Sequence, residues 1–168
     1  MMSTSNRNRV LAAVLAAVMP FTNAVAAAAP TKTFDVTMTV VADCTISAAG
    51  MNFGQTGVIT AAKTAQSNLT VTCTNTTPYN VGLDAGNTSG STGTTRYMVG
   101  TGANTDKVTV NLYRDGNSSF WGDTQGSNTV TGTGTGNEQT LTVYGEIPMQ
   151  KSPAPDVYKS TITASIYF

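Results

Sequence analysis

The side chains in this sequence with chemistry to offer are two cysteines and nine carboxylates; there is no histidine. Without histidine, Ser-His-Asp and Cys-His relays and His-based metal sites are excluded. The acids are Asp35, Asp43, Asp84, Asp106, Asp115, Asp123, Glu138, Glu146 and Asp156. They are scattered, and Asp84, Asp115 and Asp123 stand beside turn-like glycines, where aspartate commonly caps a turn. A glycosidase would need two of them facing each other across a bond, a pairing in space that the sequence does not display. The GTGTG stretch at 132–136 is superficially similar to a phosphate-binding loop. It lacks the lysine and the helix such a loop requires, and reads as a flexible inter-strand loop. The sequence therefore predicts no enzyme, no catalytic residue, no cofactor and no metal site. Cys44 and Cys73 remain, either as a disulfide or as two unrelated buried thiols.

The compartment bears on that choice. Arg7 and Arg9 precede an unbroken apolar run at 10–18 (VLAAVLAAV), and Ala24-Val25-Ala26 follows. A basic start, a short apolar centre and a small-residue exit make a secretory leader. The run is too short for a bilayer, which needs roughly 20 residues. The expected leader is 1–26, cut after residue 26 to 28. In an oxidising compartment the even cysteine count reads as a Cys44–Cys73 bridge. Closing a loop of about 30 residues stabilises by roughly 3–4 kcal/mol in the chain-entropy model. Lys+Arg and Asp+Glu balance at nine each in the full chain. Removing Arg7 and Arg9 leaves a net charge of about −2, which argues against a nucleic-acid partner.

Alternation of apolar and polar residues, with no helical period, marks the elements that must hold these cysteines. Phe34, Val36, Met38 and Val40 form one such row; Leu69, Val71 and Cys73 form another. Tyr79, Val81 and Leu83 follow, then Val108, Val110 and Leu112, then Leu141 and Val143 with Ile147 beyond. The last set is Tyr158, Ile162, Ala164, Ile166 and Phe168. Gly-rich segments at 85–95 and 131–136 punctuate them. Short strands so spaced suggest a β-sandwich. Phe120-Trp121 reads as core packing in preference to an exposed contact. The four Asn-x-Ser/Thr matches, at Asn68, Asn75, Asn87 and Asn117, fit chance in so Asn- and Thr-rich a chain.

The first apolar row is too long for one strand. One parity stays apolar or small from Phe34 to Ile46. It would span roughly 40 Å at about 3.3 Å per residue, against about 17–20 Å for a usual strand. Cys44 anchors the later half in the core, so the earlier half should project as an unpaired apolar edge. About six strands remain, one fewer than the seven of a constant-type immunoglobulin sandwich, with the last strand missing. The expected fold is all-β: an incomplete, six-stranded immunoglobulin-like β-sandwich with an N-terminal donor strand. The expected division is 1–26 leader, 27–41 donor extension and 42–168 domain. A neighbour's strand would fill the gap.

CTIS at 44–47, MNFG at 51–54, LTVTCT at 69–74 and YNVGL at 79–83 resemble the spore coat protein U family. NLYRD at 111–115, WGD at 121–123, LTVYG at 141–145 and the closing strand at 158–168 continue the resemblance over the whole exported chain. That family includes subunits of archaic, Csu-type chaperone–usher pili. The resemblance implies a pilus subunit of a Gram-negative cell surface that serves adhesion and biofilm formation. Its partners would be a periplasmic chaperone, an outer-membrane usher and neighbouring subunits. It implies Phe34, Val36, Met38 and Val40 as inserted donor side chains. It implies an acceptor groove at Ile46, Ile162, Ala164, Ile166 and Phe168, and it matches the Cys44–Cys73 bridge. One domain suggests a shaft or adaptor subunit. The alternative is a stand-alone secreted β-sandwich, such as a carbohydrate-binding module or a coat protein.

Overall fold

The structure is a computed structural model, and it describes residues 27–116 and 118–168. The expected leader at 1–26 lies outside the described residues. Two units are distinct, Met1–Met38 and Thr39–Phe168. In the first, residues 27–38 form no strand and are exposed throughout.

Among the described residues the second unit holds nine strands. They are β1 (Cys44–Ala48), β2 (Lys63–Cys73), β3 (Pro78–Leu83), β4 (Arg96–Gly100), β5 (Lys107–Tyr113), β6 (Val130–Thr133), β7 (Glu138–Ile147), β8 (Tyr158–Lys159) and β9 (Ala164–Tyr167). A six-stranded sheet runs β1-β2-β7-β5-β4-β8, and a three-stranded sheet runs β6-β3-β9. All pairings are antiparallel. The spine is β2 on β7, in register from Lys63 opposite Ile147 to Thr72 opposite Glu138.

Alternation explains the core. Leu69, Val71 and Cys73 of β2 turn inward, as do Tyr79, Val81 and Leu83 of β3 and Val108, Val110 and Leu112 of β5. Their polar neighbours face the opposite way, because successive side chains on a strand alternate sides. Trp121, from the β5–β6 connection, is fully buried among them. Its indole Nε1 donates to the Val81 carbonyl at 2.8 Å, which settles Phe120-Trp121 on the side of packing. Phe120 stacks on Tyr113, with centroids 4.9 Å apart.

β4 and β6 carry no clean alternation. In β4 the reason is Arg96, a charged residue that is fully buried. Its Nε donates to the Asp84 carbonyl at 2.8 Å, and its Nη2 to the carbonyls of Leu83 (2.9 Å) and Trp121 (2.7 Å). Three main-chain acceptors offset much of the cost of taking the charge out of water. Desolvation still pushes the guanidinium down to about 10, against the favourable field of Asp84. Of the stretch at 132–136 read from sequence as loop, Gly132 and Thr133 belong to strand β6 and 134–136 are loop. The Tyr79 ring lies across the space where a side chain at 132 would stand, so glycine lets the two strands approach.

Candidate functional site: an open apolar groove between two sheet edges

The sandwich is open along one side. β1 is the edge of the large sheet, and β9 is the edge of the small one. The two approach each other without a hydrogen-bonded ladder. Cys44 faces Cys73 in the β1–β2 register, and their sulfurs are bonded. The bridge fixes β1 to β2, because it joins the first residue of one strand to the last of the other.

Between these edges lies a groove of about 470 Å³. Leu69, Leu83, Val110, Leu112 and Val143 from the core form its floor, with Met98 beside them. One wall is the end of β1 and the stretch that follows it, with Ala48, Met51 and Phe53. It is held to β2 by Ala49 N–H donating to the Asn68 carbonyl at 3.0 Å, and by the Ser67 hydroxyl donating to the Ala49 carbonyl at 2.7 Å. The other wall is the stretch that enters β9, with Ser160, Ile162 and Ala164. Lys159 at the rim is the only charged side chain of the lining. A surface of this kind suits a row of apolar side chains on an extended backbone.

The expected groove residues divide. Ile162 and Ala164 line it. Ile46 and Ile166 are half-buried against the core but outside that lining. Phe168 is 58% exposed. With Ile166 and Tyr167 it borders a second, more open depression of about 560 Å³ near Pro78, Asn80 and Gln125. The expected donor row is exposed: Phe34 86%, Val36 85%, Met38 85% and Val40 66%. Alternation did not point to Met51, Phe53 or Met98. The first two stood in the sequence only as part of the MNFG motif at 51–54, and the fold ties them to Gly145. Met51 Sδ and the Phe53 ring occupy the space a side chain at 145 would need.

Several of the carboxylates accept hydrogen bonds within or between loops. Asp43 accepts from Cys44 N–H, Asp106 from Ala154 N–H and Asp156 from Gly102 N–H. Asp115 accepts from the Ser119 N–H and hydroxyl and from the Ser118 hydroxyl. These bonds, chiefly those from Ser119, hold its carboxyl below the usual range. Asp123 accepts from the Tyr167 hydroxyl at 2.9 Å, and that bond raises the phenol. Among the described residues no three His, Cys, Asp or Glu side chains gather as metal ligands would.

The family model described as Spore Coat Protein U domain matches residues 30–165. The chain belongs to that family. The match begins before Phe34 and runs into β9, so both the exposed row and the groove lie within the Spore Coat Protein U domain. No curated protein sequence matches the chain. Among solved structures, the domain resembles a chain in the CsuC–CsuE chaperone–tip adhesion subunit pre-assembly complex, from archaic chaperone-usher Csu pili of Acinetobacter baumannii. The TM-score is 0.58 at 21% identity, over 77% of this chain and 41% of that one. This chain thus spans less than half the length of that relative. The minor tip subunit HdaB of the E. coli Hda pilus gives a TM-score of 0.41 at 17% identity, over 74% of this chain and 79% of that one.

Proposed function

We propose that this Spore Coat Protein U domain is a structural subunit of a surface fibre, assembled by donor-strand complementation. The observation that carries the reading is a pairing of opposites in one chain. An exposed alternating apolar row, Phe34, Val36, Met38 and Val40, occurs in the same chain as a domain whose apolar groove is open along two unpaired strand edges. In this reading residues 27–41 are the donor extension, freed by cleavage of 1–26. The row enters the groove of a neighbouring subunit, and Ile46, Ile162, Ala164, Ile166 and Phe168 belong to the region that receives a neighbour's row.

Burying four such side chains is worth about 6–12 kcal/mol gross, at about 1.5–3 kcal/mol each. A ladder along both edges adds to it. That rivals the stability of a whole domain, about 5–15 kcal/mol, so the fibre should dissociate very slowly. Before assembly the open groove exposes apolar surface and unpaired edges, which calls for a chaperone. Family membership and the fold shared with a Csu pilus complex support a periplasmic chaperone and an outer-membrane usher as partners. They also support a place on the surface of a Gram-negative cell, in adhesion and biofilm formation.

The test is deletion of residues 29–40. The full chain should give SDS-resistant ladders that collapse on heating, and the deletion should give none. Ladders from the deleted chain would refute donor-strand assembly.

A further inference from the structure

The accepting edge is too short as a strand alone. β9 has four residues, a span of ~13 Å, whereas the seven residues of the row at 34–40 span ~23 Å. The residues before β9 supply the difference without a partner strand. β3 ends at Leu83, opposite Ala164. Beyond it, the 84–87 turn continues the pairing with main-chain and side-chain atoms together. Asp84 N–H donates to the Thr163 carbonyl at 3.0 Å, and Thr163 N–H returns to Asp84 Oδ1 at 2.9 Å. Asn87 N–H donates to the Thr161 carbonyl at 3.1 Å, and Thr161 N–H returns to Asn87 Oδ1 at 2.9 Å. Each side-chain oxygen accepts where a strand carbonyl would. Asp84 Oδ1 also accepts from Gly86 N–H at 2.9 Å, which fixes the turn.

These bonds occupy the backbone groups of Thr161 and Thr163. By strand alternation the N–H and C=O groups of Ser160, Ile162 and Ala164 face the opposite, open edge. Ile162 and Ala164 line the groove, while the Ser160 hydroxyl turns back to donate to Asn87 Oδ1 at 3.3 Å. At Gly86, whose φ is +84°, a Cβ would sit 2.6 Å from Ile162 Cδ1, so the turn packs directly on the groove wall.

We infer that Asp84 and Asn87 are positioning residues that lengthen the accepting edge from β9 back to Ser160, giving it the reach a donor row needs. Residues 160–167 span ~26 Å, enough for the whole row. The inference rests on the strand-accepting reading above and adds to it the length of row accepted.

The test uses the full chain with its own row silenced by Val36→Asp and Met38→Asp. Labelled peptides of residues 33–41, 33–37 and 37–41 are the probes. Asp84→Ala and Asn87→Ala should each weaken the 33–41 peptide tenfold or more. They should leave the tighter of the two half-length peptides within twofold. Asp84→Asn, which keeps the accepting oxygen, should restore the long peptide. The Thr161 and Thr163 amides should exchange faster in both alanine variants. Unchanged binding of the long peptide, or equal loss of long and short peptides, would overturn the inference. If the silenced parent binds no peptide at all, the strand-accepting reading falls, and this inference with it. Should one alanine variant not fold, the other carries the test.

Discussion

Arg96 and Trp121 are joined at the centre of the sandwich: the guanidinium Nη2 donates to the Trp121 carbonyl at 2.7 Å, with both residues fully buried. The indole of the same tryptophan donates to the Val81 carbonyl at 2.8 Å. One residue thus ties β4 and β3 together through the β5–β6 connection. Replacing Arg96 by alanine strips a donor from two buried carbonyls, of Leu83 and Trp121, and from the part-buried carbonyl of Asp84. The expected loss is about 3 kcal/mol or more, because each unsatisfied buried acceptor costs roughly 1–3 kcal/mol. The urea midpoint followed by Trp121 fluorescence measures it, and a shift under ~1 kcal/mol would show that the carbonyls find other donors.

The Cys44–Cys73 bridge closes a loop with a sequence separation of 29. The double Cys44→Ala, Cys73→Ala variant should lose roughly 3–4 kcal/mol. The loss should appear as a lower melting temperature without reductant. The wild-type chain with reductant should fall to the variant's value.

Gly145 leaves room for Met51 and Phe53 on the groove wall. A methyl group there pushes the flexible Met51 thioether and the Phe53 ring toward the open groove. Gly145→Ala is expected to cost about 1–3 kcal/mol of stability, the usual cost of overpacking. Its effect on ladder formation in SDS gels should be larger than that of a core variant of equal instability. Ladders as abundant as those of such a control would place Met51 and Phe53 clear of the incoming strand.

Asp115 gives the turn after β5 a dependence on acid. Its carboxyl is held below the usual range by Ser119 and Ser118. A carboxyl lowered on folding adds stability that is full above the unfolded value near 3.9, and that stability is lost as pH falls through the folded value. The order of this turn should therefore persist at pH 5 and fade below about pH 4. Asp115→Asn should remove that acid step from the Ser119 amide exchange profile, and an unchanged profile would assign the step to another group.

The sequence alone was enough for the class of this molecule. Strict alternation at Leu69–Cys73, Tyr79–Leu83 and Val108–Leu112 placed three strands and their inward faces, because burial of one sheet face needs only local periodicity. The absence of histidine removed the commonest catalytic and metal chemistry. The excessive length of the row from Phe34 to Ile46 separated an exposed stretch from β1. β4 was not legible, since an arginine that caps carbonyls of Leu83, Asp84 and Trp121 reads as surface until those carbonyls converge. β6 was not legible either, since its glycine is required by the Tyr79 ring, a residue far away in sequence. The groove followed the same division. Its Ile162 and Ala164 wall lay on an alternating run, but Met51, Phe53 and Met98 came to it only through packing. That Asp84 and Asn87 continue a strand edge was decided by tertiary structure alone. Periodicity reports which way a side chain points; only the folded backbone brings two edges near enough to leave a space between them.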